Sequence, residues 1–176
     1  GYIAKDSSDR ALQAFTLTEM VTALALMLSI ALLLFWFISQ KSATNQCRAN
    51  LQRVYMALEM FEIDRGMLPE IAFFPQHPIT DEFSLRKVLT SYEVTKDSFI
   101  CPKTHRQHQD LGLTYVWNTR LNNRELYGPE AREWMMVEIN ALSDRVPAPH
   151  IGHYNILYTD GHVQTSTVPP DSLRER

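Results

Sequence analysis

Residues 14–38 read AFTLTEMVTALALMLSIALLLFWFI, and everything else in the chain has to be understood as attached to them. From Phe15 onward the run carries one charge, Glu19, and contains neither Gly nor Pro. As a helix rising about 1.5 Å per residue, it is long enough to cross a hydrocarbon core of about 30 Å. An ionised carboxylate at bilayer depth costs about 2.5–3.5 kcal/mol even on lenient insertion scales, so Glu19 is expected to have a partner or a function. The run is too long for the ~7–15 apolar residues of a cleaved secretory signal, and no small-x-small site follows it. A plain membrane anchor remains open, although it leaves Glu19 without a purpose.

Beyond Ile38 the chain turns polar (SQKSATNQ, 39–46) without meeting a helix breaker. Apolar residues then return at helical spacing: Cys47, Leu51, Val54, Tyr55, Leu58 and Phe61 share one face. Arg48, Asn50, Gln52, Arg53, Glu59 and Glu62 fall between them, and Gly66 and Pro69 supply the stop. The pattern predicts one continuous helix of about 50 residues, apolar all round in its first half and amphipathic in its second. Lys41, Arg48 and Arg53 lie after the apolar run, so the distribution of basic residues does not by itself place the N-terminus in the cytoplasm.

The residues after Ile38, 39–176, are enough for one domain with a modest core. The segment DEFSLRKVLTSYE (81–93) reads as a helix capped by Asp81, with Phe83, Leu85, Val88 and Leu89 inward. LTYVWN (113–118) reads as an alternating strand and MMVEIN (135–140) as a buried one ending at Glu138. Asn122-Asn123 and Gly128-Pro129 mark turns between them. YNILYT and HVQTSTV flank Asp160-Gly161, a two-residue hairpin signal. The fold class is therefore α+β: a long N-terminal α-helix packed on a small antiparallel β-sheet head.

The net charge of −3 gives no electrostatic footprint for nucleic acid. No Gly-x-Ser-x-Gly, phosphate loop, HExxH or Cys-x-x-Cys occurs, and Cys47 on a stalk helix is poorly placed for a catalytic thiol, so no enzyme is expected. The two cysteines, Cys47 and Cys101, fit either one disulfide in an oxidising compartment or two separate thiols. His105 and His108 sit in a polar loop whose spacing is weak for a metal.

Three segments, in order, carry a family resemblance. Phe15-Thr16-Leu17-Thr18-Glu19 after the polar leader 1–14 resembles the processing site of type IV pilins and type II secretion pseudopilins, with Ala14 where that family usually has Gly. CRANLQRVYMALEMFEIDRGMLPE (47–70) resembles the stalk segment of prepilin-like proteins through Cys47, Asn50, Leu51, Gln52, Ala57, Leu58, Gly66 and Pro69. His150, nine residues, then Asp160-Gly161 with His162-Val163 resembles the H-x9-DG signature that ends one class of them, with Gly152, Asn155, Leu157 and Tyr158 between.

The resemblance implies a leader (1–14), a transmembrane or filament-core helix (15–38), an amphipathic stalk half (39–66) and a pilin-like head (67–176). Cleavage between Ala14 and Phe15 by a prepilin peptidase, with N-methylation of Phe15, would place an amine about one turn from Glu19. In a filament Glu19 would neutralise the amine of a neighbouring subunit. The implied partners are further copies of the chain, other pseudopilins, the peptidase, an inner-membrane assembly platform and lipid. The implied location is the bacterial inner membrane, single-pass, with the head in the periplasm, and the export it implies favours a Cys47–Cys101 disulfide. The function would be structural, as a subunit of a secretion pseudopilus or type IV pilus-like filament. The alternative is a monomeric, membrane-anchored extracytoplasmic binding module. It would use Glu138, His150, His153, Asp160 and His162 to hold calcium or, better suited to histidines, zinc. Asp160 making the turn, with His150 or Asn155 tying down the preceding loop, explains the same residues without a metal.

Overall fold

The computed structural model describes residues 16–127 and 132–174, and the chain divides into two compact units with the boundary between Ser39 and Gln40. Helix α1 (Leu17–Arg65) contributes to both. In the first unit Thr16 starts the helix. Its hydroxyl accepts from the Glu19 N–H (3.3 Å), and Glu19 Oε2 accepts from the Thr16 N–H and hydroxyl (both 2.8 Å). This reciprocal pairing is a capping box, which satisfies two N–H groups that a helix start otherwise leaves open. Thr22 and Ser29 donate back to the carbonyls of Glu19 and Ala25, so their hydroxyls find partners inside the helix. The large apolar side chains from Leu17 to Ile38 are all more than half exposed. By length and composition this part of α1 can cross a membrane.

In the second unit α1 buries Cys47, Asn50, Leu51, Val54, Tyr55, Ala57 and Leu58, which is the face that the spacing predicts with Asn50 and Ala57 added and Phe61 only partly buried at its edge. Full burial of each Leu or Val here contributes about 1.5–3 kcal/mol. Gly66, at φ +81°, ends the helix by donating its N–H to the Glu62 carbonyl, a left-handed cap that favours glycine. This face packs on an antiparallel meander of β1 (Tyr115–Trp117), β2 (Trp134–Glu138), β3 (Tyr154–Tyr158) and β4 (Val163–Ser166). The α+β arrangement expected from the sequence is the one observed.

The strand register decides which residues meet the helix. Tyr115 pairs with Glu138, Trp117 with Met136, Leu157 with Val163, and Asn155 with Thr165. Because successive side chains alternate, Tyr115, Trp117, Met136, Leu157 and Val163 join the core under α1. Val116, Val137, Tyr154 and Ile156 fill a second core on the opposite face with Trp134, Ala141 and Leu173. Leu173 comes from the short helix α4 (Asp171–Arg174), and Ser172 accepts the Trp134 indole N–H at 2.5 Å. With both faces covered, β1 is buried throughout rather than half-exposed. The register shifts between Trp134 and Met136, and Met135 joins Met136 in the core under α1.

Three local expectations are corrected. The 81–93 helix shrinks to one turn, α2 (Leu85–Val88), which begins after Ser84 with no side-chain cap, the Ser84 hydroxyl donating instead to the Pro78 carbonyl. Asp81 instead accepts the Phe83 N–H in a turn of its own, and Phe83 is half exposed. The 103–112 loop contains another single turn, α3 (Arg106–Asp110). The hairpin turn is also longer than its Asp-Gly signal. Gly161 donates to the Tyr158 carbonyl (2.9 Å) and Tyr158 to that of His162 (3.1 Å), so the loop holds three residues, 159–161. Of these only Gly161 has positive φ (+75°), whereas a two-residue type I′ turn needs both central residues there. The predicted Gly128-Pro129 turn lies outside the described residues.

Candidate functional site

At one end of the sheet the helix-facing side chains become polar. Tyr115, Glu138, Asn155 and Thr165 follow one another across β1, β2, β3 and β4, linked by strand pairing and by hydrogen bonds. Cys47 of α1 comes down on this row. Its sulfur lies 3.2 Å from the Tyr115 hydroxyl and donates to Glu138 Oε1 at 3.1 Å.

Two loops close the arrangement. Cys101 follows the 3-10 turn Lys96–Phe99. It is pinned by its own N–H on Thr114 Oγ1 (2.6 Å) and by Asn50, whose amide donates to the carbonyls of Asp97 (3.1 Å) and Ile100 (3.0 Å). Asn50 lies three residues after Cys47 and therefore on the same face of α1. His150 enters just before β3 through a tight turn in which His150 and His153 exchange backbone hydrogen bonds. Ile151 (φ +53°) and Gly152 (φ +79°) both take left-handed backbone there. Glycine adopts this without strain, and a β-branched residue does not.

The ligating atoms of Cys47, Cys101, Glu138 and His150 all lie within 4.8 Å of one another. The first three residues are 0% exposed and His150 is 4%. His150 Nε2 faces Cys101 Sγ at 3.3 Å and Glu138 Oε1 at 3.1 Å. Its other nitrogen, Nδ1, meets the Thr44 hydroxyl at 3.2 Å. That hydroxyl donates to the Gln40 carbonyl (3.1 Å), so toward His150 it can only accept, and Nδ1 carries a proton. Glu138 Oε2 accepts the Asn155 N–H (2.8 Å) and Oε1 accepts its amide (3.2 Å), while Thr165 fixes Asn155 by donating to Oδ1.

The charges in this closed space are interdependent. Burial pushes the Cys47 thiol well up, reinforced by Cys101 and by the charge of Glu138. The Cys101 thiol moves the other way, to about 5, because the hydrogen bond from Cys47 outweighs burial and His150 adds to it. Burial alone would lower His150, but hydrogen bonds to Cys101 and Glu138 raise it to about 9. Glu138 is raised by burial against the pull of His150, and Tyr115 is raised by burial. These shifts favour negative charge on Cys101 and positive charge on His150, a pairing that serves nucleophilic chemistry where it lines an open cleft. This space is sealed to substrate.

The sequence expectations fare unevenly. Glu138 and His150 do come together, but with the two cysteines rather than with His153, Asp160 and His162. His153 bonds the Ile151 carbonyl. Asp160 accepts the His162 N–H and pairs with Arg132, and His162 is exposed. The expected disulfide is not formed: both cysteines are free thiols, each held by its own polar partners. Of the H-x9-DG signature, His150 enters the buried cluster, whereas Asp160 and Gly161 build the hairpin turn. That turn docks on α1, where Tyr55 donates to the Thr159 carbonyl at 3.2 Å. Ala14 and Phe15 lie outside the described residues. Glu19 is held by Thr16 of its own helix.

No family model, curated protein or solved structure matches this chain. What the cluster does must therefore be argued from its chemistry. Nothing in the sequence marks Thr44 or Tyr115 as site residues, whereas the i+3 spacing of Asn50 from Cys47 is a usable signal.

Proposed function

We propose that this chain is a membrane-anchored structural subunit, processed between Ala14 and Phe15, that polymerises through residues 15–38 into a pilus-like or pseudopilus filament. The observation that carries this reading is an all-round exposed apolar helix surface bearing a single carboxylate, in its first turn. Capping the helix start uses the carboxylate's oxygens but leaves its charge unpaired in an apolar setting. In a bundle of such helices, Glu19 meets the amine created one residue before Thr16, and pairing removes the penalty of a lone charge in an apolar setting. The order of the three resembling segments supports the same reading.

A second reading has one observation in its favour. The Thr16–Glu19 capping box satisfies Glu19 within its own helix, as a monomeric anchor would require. Glu19→Gln separates the two, because Gln at this position can keep the box while removing the charge. In cells expressing a prepilin peptidase and an assembly platform, the filament reading expects Glu19→Gln to reach the membrane normally. It expects sheared filaments to fall about tenfold or more, since breaking a buried pair costs ~3–5 kcal/mol. Equal filament yields from the variant and the parent chain would overturn the reading.

A further inference from the structure

We propose that Cys47, Cys101, Glu138 and His150 bind one zinc ion as a closed structural site that ties α1, the loop after Lys96–Phe99, the end of β2 and the turn before β3 to one another. This inference is independent of the filament reading and holds equally for a monomeric anchor.

The donor set is two sulfurs, one imidazole nitrogen and one carboxylate oxygen. Sulfur ligands disfavour calcium and magnesium, which take oxygen, and four mixed S/N/O ligands without an open position are the pattern of structural zinc. The spacing fits. Zinc bonds of about 2.0–2.3 Å at tetrahedral angles separate ligand atoms by about 3.3–3.8 Å. The contacts observed are 3.1 Å (Cys47 Sγ–Glu138 Oε1), 3.3 Å (Cys101 Sγ–His150 Nε2) and 3.1 Å (His150 Nε2–Glu138 Oε1). An outward movement of a few tenths of an ångström at these three contacts, with all four atoms within 4.8 Å of one another, makes room for the ion.

The surrounding groups are those a metal site needs. The Thr44 hydroxyl holds Nδ1–H, which leaves Nε2 as the ligating nitrogen. Asn155 donates twice to Glu138, and the Tyr115 hydroxyl lies against the Cys47 sulfur. These donors offset the net negative charge of two thiolates and a carboxylate around a divalent ion, and two protons leave to solvent on binding, the one on Cys47 and the one held between Cys101 and His150 Nε2. A Cys47–Cys101 disulfide would serve the geometry less well, since it would leave Glu138 and His150 buried with only each other as ionic partners.

The test uses the full chain extracted in detergent and purified without chelator. Elemental analysis is expected to give about one zinc per chain, with intact mass showing two unbridged cysteines. After chelation under reducing conditions, cobalt(II) added to the unmodified chain is expected to give the visible bands of a tetrahedral site and the charge-transfer absorption of two thiolates. His150→Ala and Cys101→Ser are expected to lose the bound zinc. The cobalt spectrum of the unmodified chain keeps the test decisive if either variant fails to fold. Less than about a tenth of an equivalent of zinc together with an octahedral cobalt spectrum, or a Cys47–Cys101 disulfide in the purified chain, would overturn the proposal.

Discussion

Replacing Gly161 by alanine tests how the hairpin turn is held against the long helix. Gly161 sits at φ +75°, and a Cβ built there comes within 2.7 Å of Tyr55 Cε1 and 3.0 Å of Cζ. Left-handed backbone costs a non-glycine residue about 1–2 kcal/mol. The contact adds more, because the Tyr55 ring is buried and its hydroxyl is tied to the Thr159 carbonyl. Displacing the ring forfeits that bond, worth about 0.5–1.5 kcal/mol, and disturbs the packing by at least as much. The total is about 2–5 kcal/mol.

Gly152 supplies the control, since its φ is +79° but its added Cβ meets nothing within 4 Å. Gly152→Ala should therefore lose only the backbone component, about 1–2 kcal/mol. In thermal unfolding of the full chain followed by near-UV circular dichroism, each kcal/mol corresponds to about 2–4 °C for a chain of this size. Gly161→Ala should melt well below Gly152→Ala, and Tyr55→Leu in the Gly161→Ala background should recover part of the difference. Equal melting temperatures for the two alanine variants would refute the close docking of the turn on α1.

Two further outcomes follow from the turn before β3 and from the cluster. Ile151 is an exposed β-branched residue at φ +53°. Ile151→Gly should stabilise the protein by about 0.5–1 kcal/mol in denaturant unfolding, and a destabilisation would contradict the strain assigned to this turn. Thr44→Val keeps shape but removes the acceptor for His150 Nδ1–H. Zinc affinity, measured by chelator competition, should fall about 10–100-fold with the circular dichroism spectrum unchanged, and an unaltered affinity would exclude Thr44 from orienting the ring.

The large features were legible because they are periodic. An unbroken apolar run, a three-and-four spacing from Cys47 to Phe61 and a Gly-Pro stop fix α1 almost to the residue. The strands 135–140 and 154–168 declare themselves by composition. The alternation in 113–118 does not show that β1 is buried on both faces, because nothing local reveals that Leu173, more than 50 residues on, helps to cover the second one. The Asp160-Gly161 turn was misjudged by one residue for a similar reason: strand register, not the dipeptide, sets loop length. The buried cluster shows where such reading stops. Cys47 and Cys101 suggested a bridge to each other, and Glu138 and His150 a site with other histidines. Their convergence depends on Tyr115 pairing with Glu138 and on Asn50 anchoring the Cys101 loop, both long-range facts.

The central claim, that residues 1–14 are a leader and 15–38 a filament core, is tested most directly at the N-terminus of the mature protein. Intact mass and N-terminal sequencing of the chain recovered from membranes of cells expressing a prepilin peptidase are expected to give a protein that begins at Phe15 and carries an N-methyl group. A chain that retains residues 1–14 would contradict the account and leave 15–38 as a simple anchor.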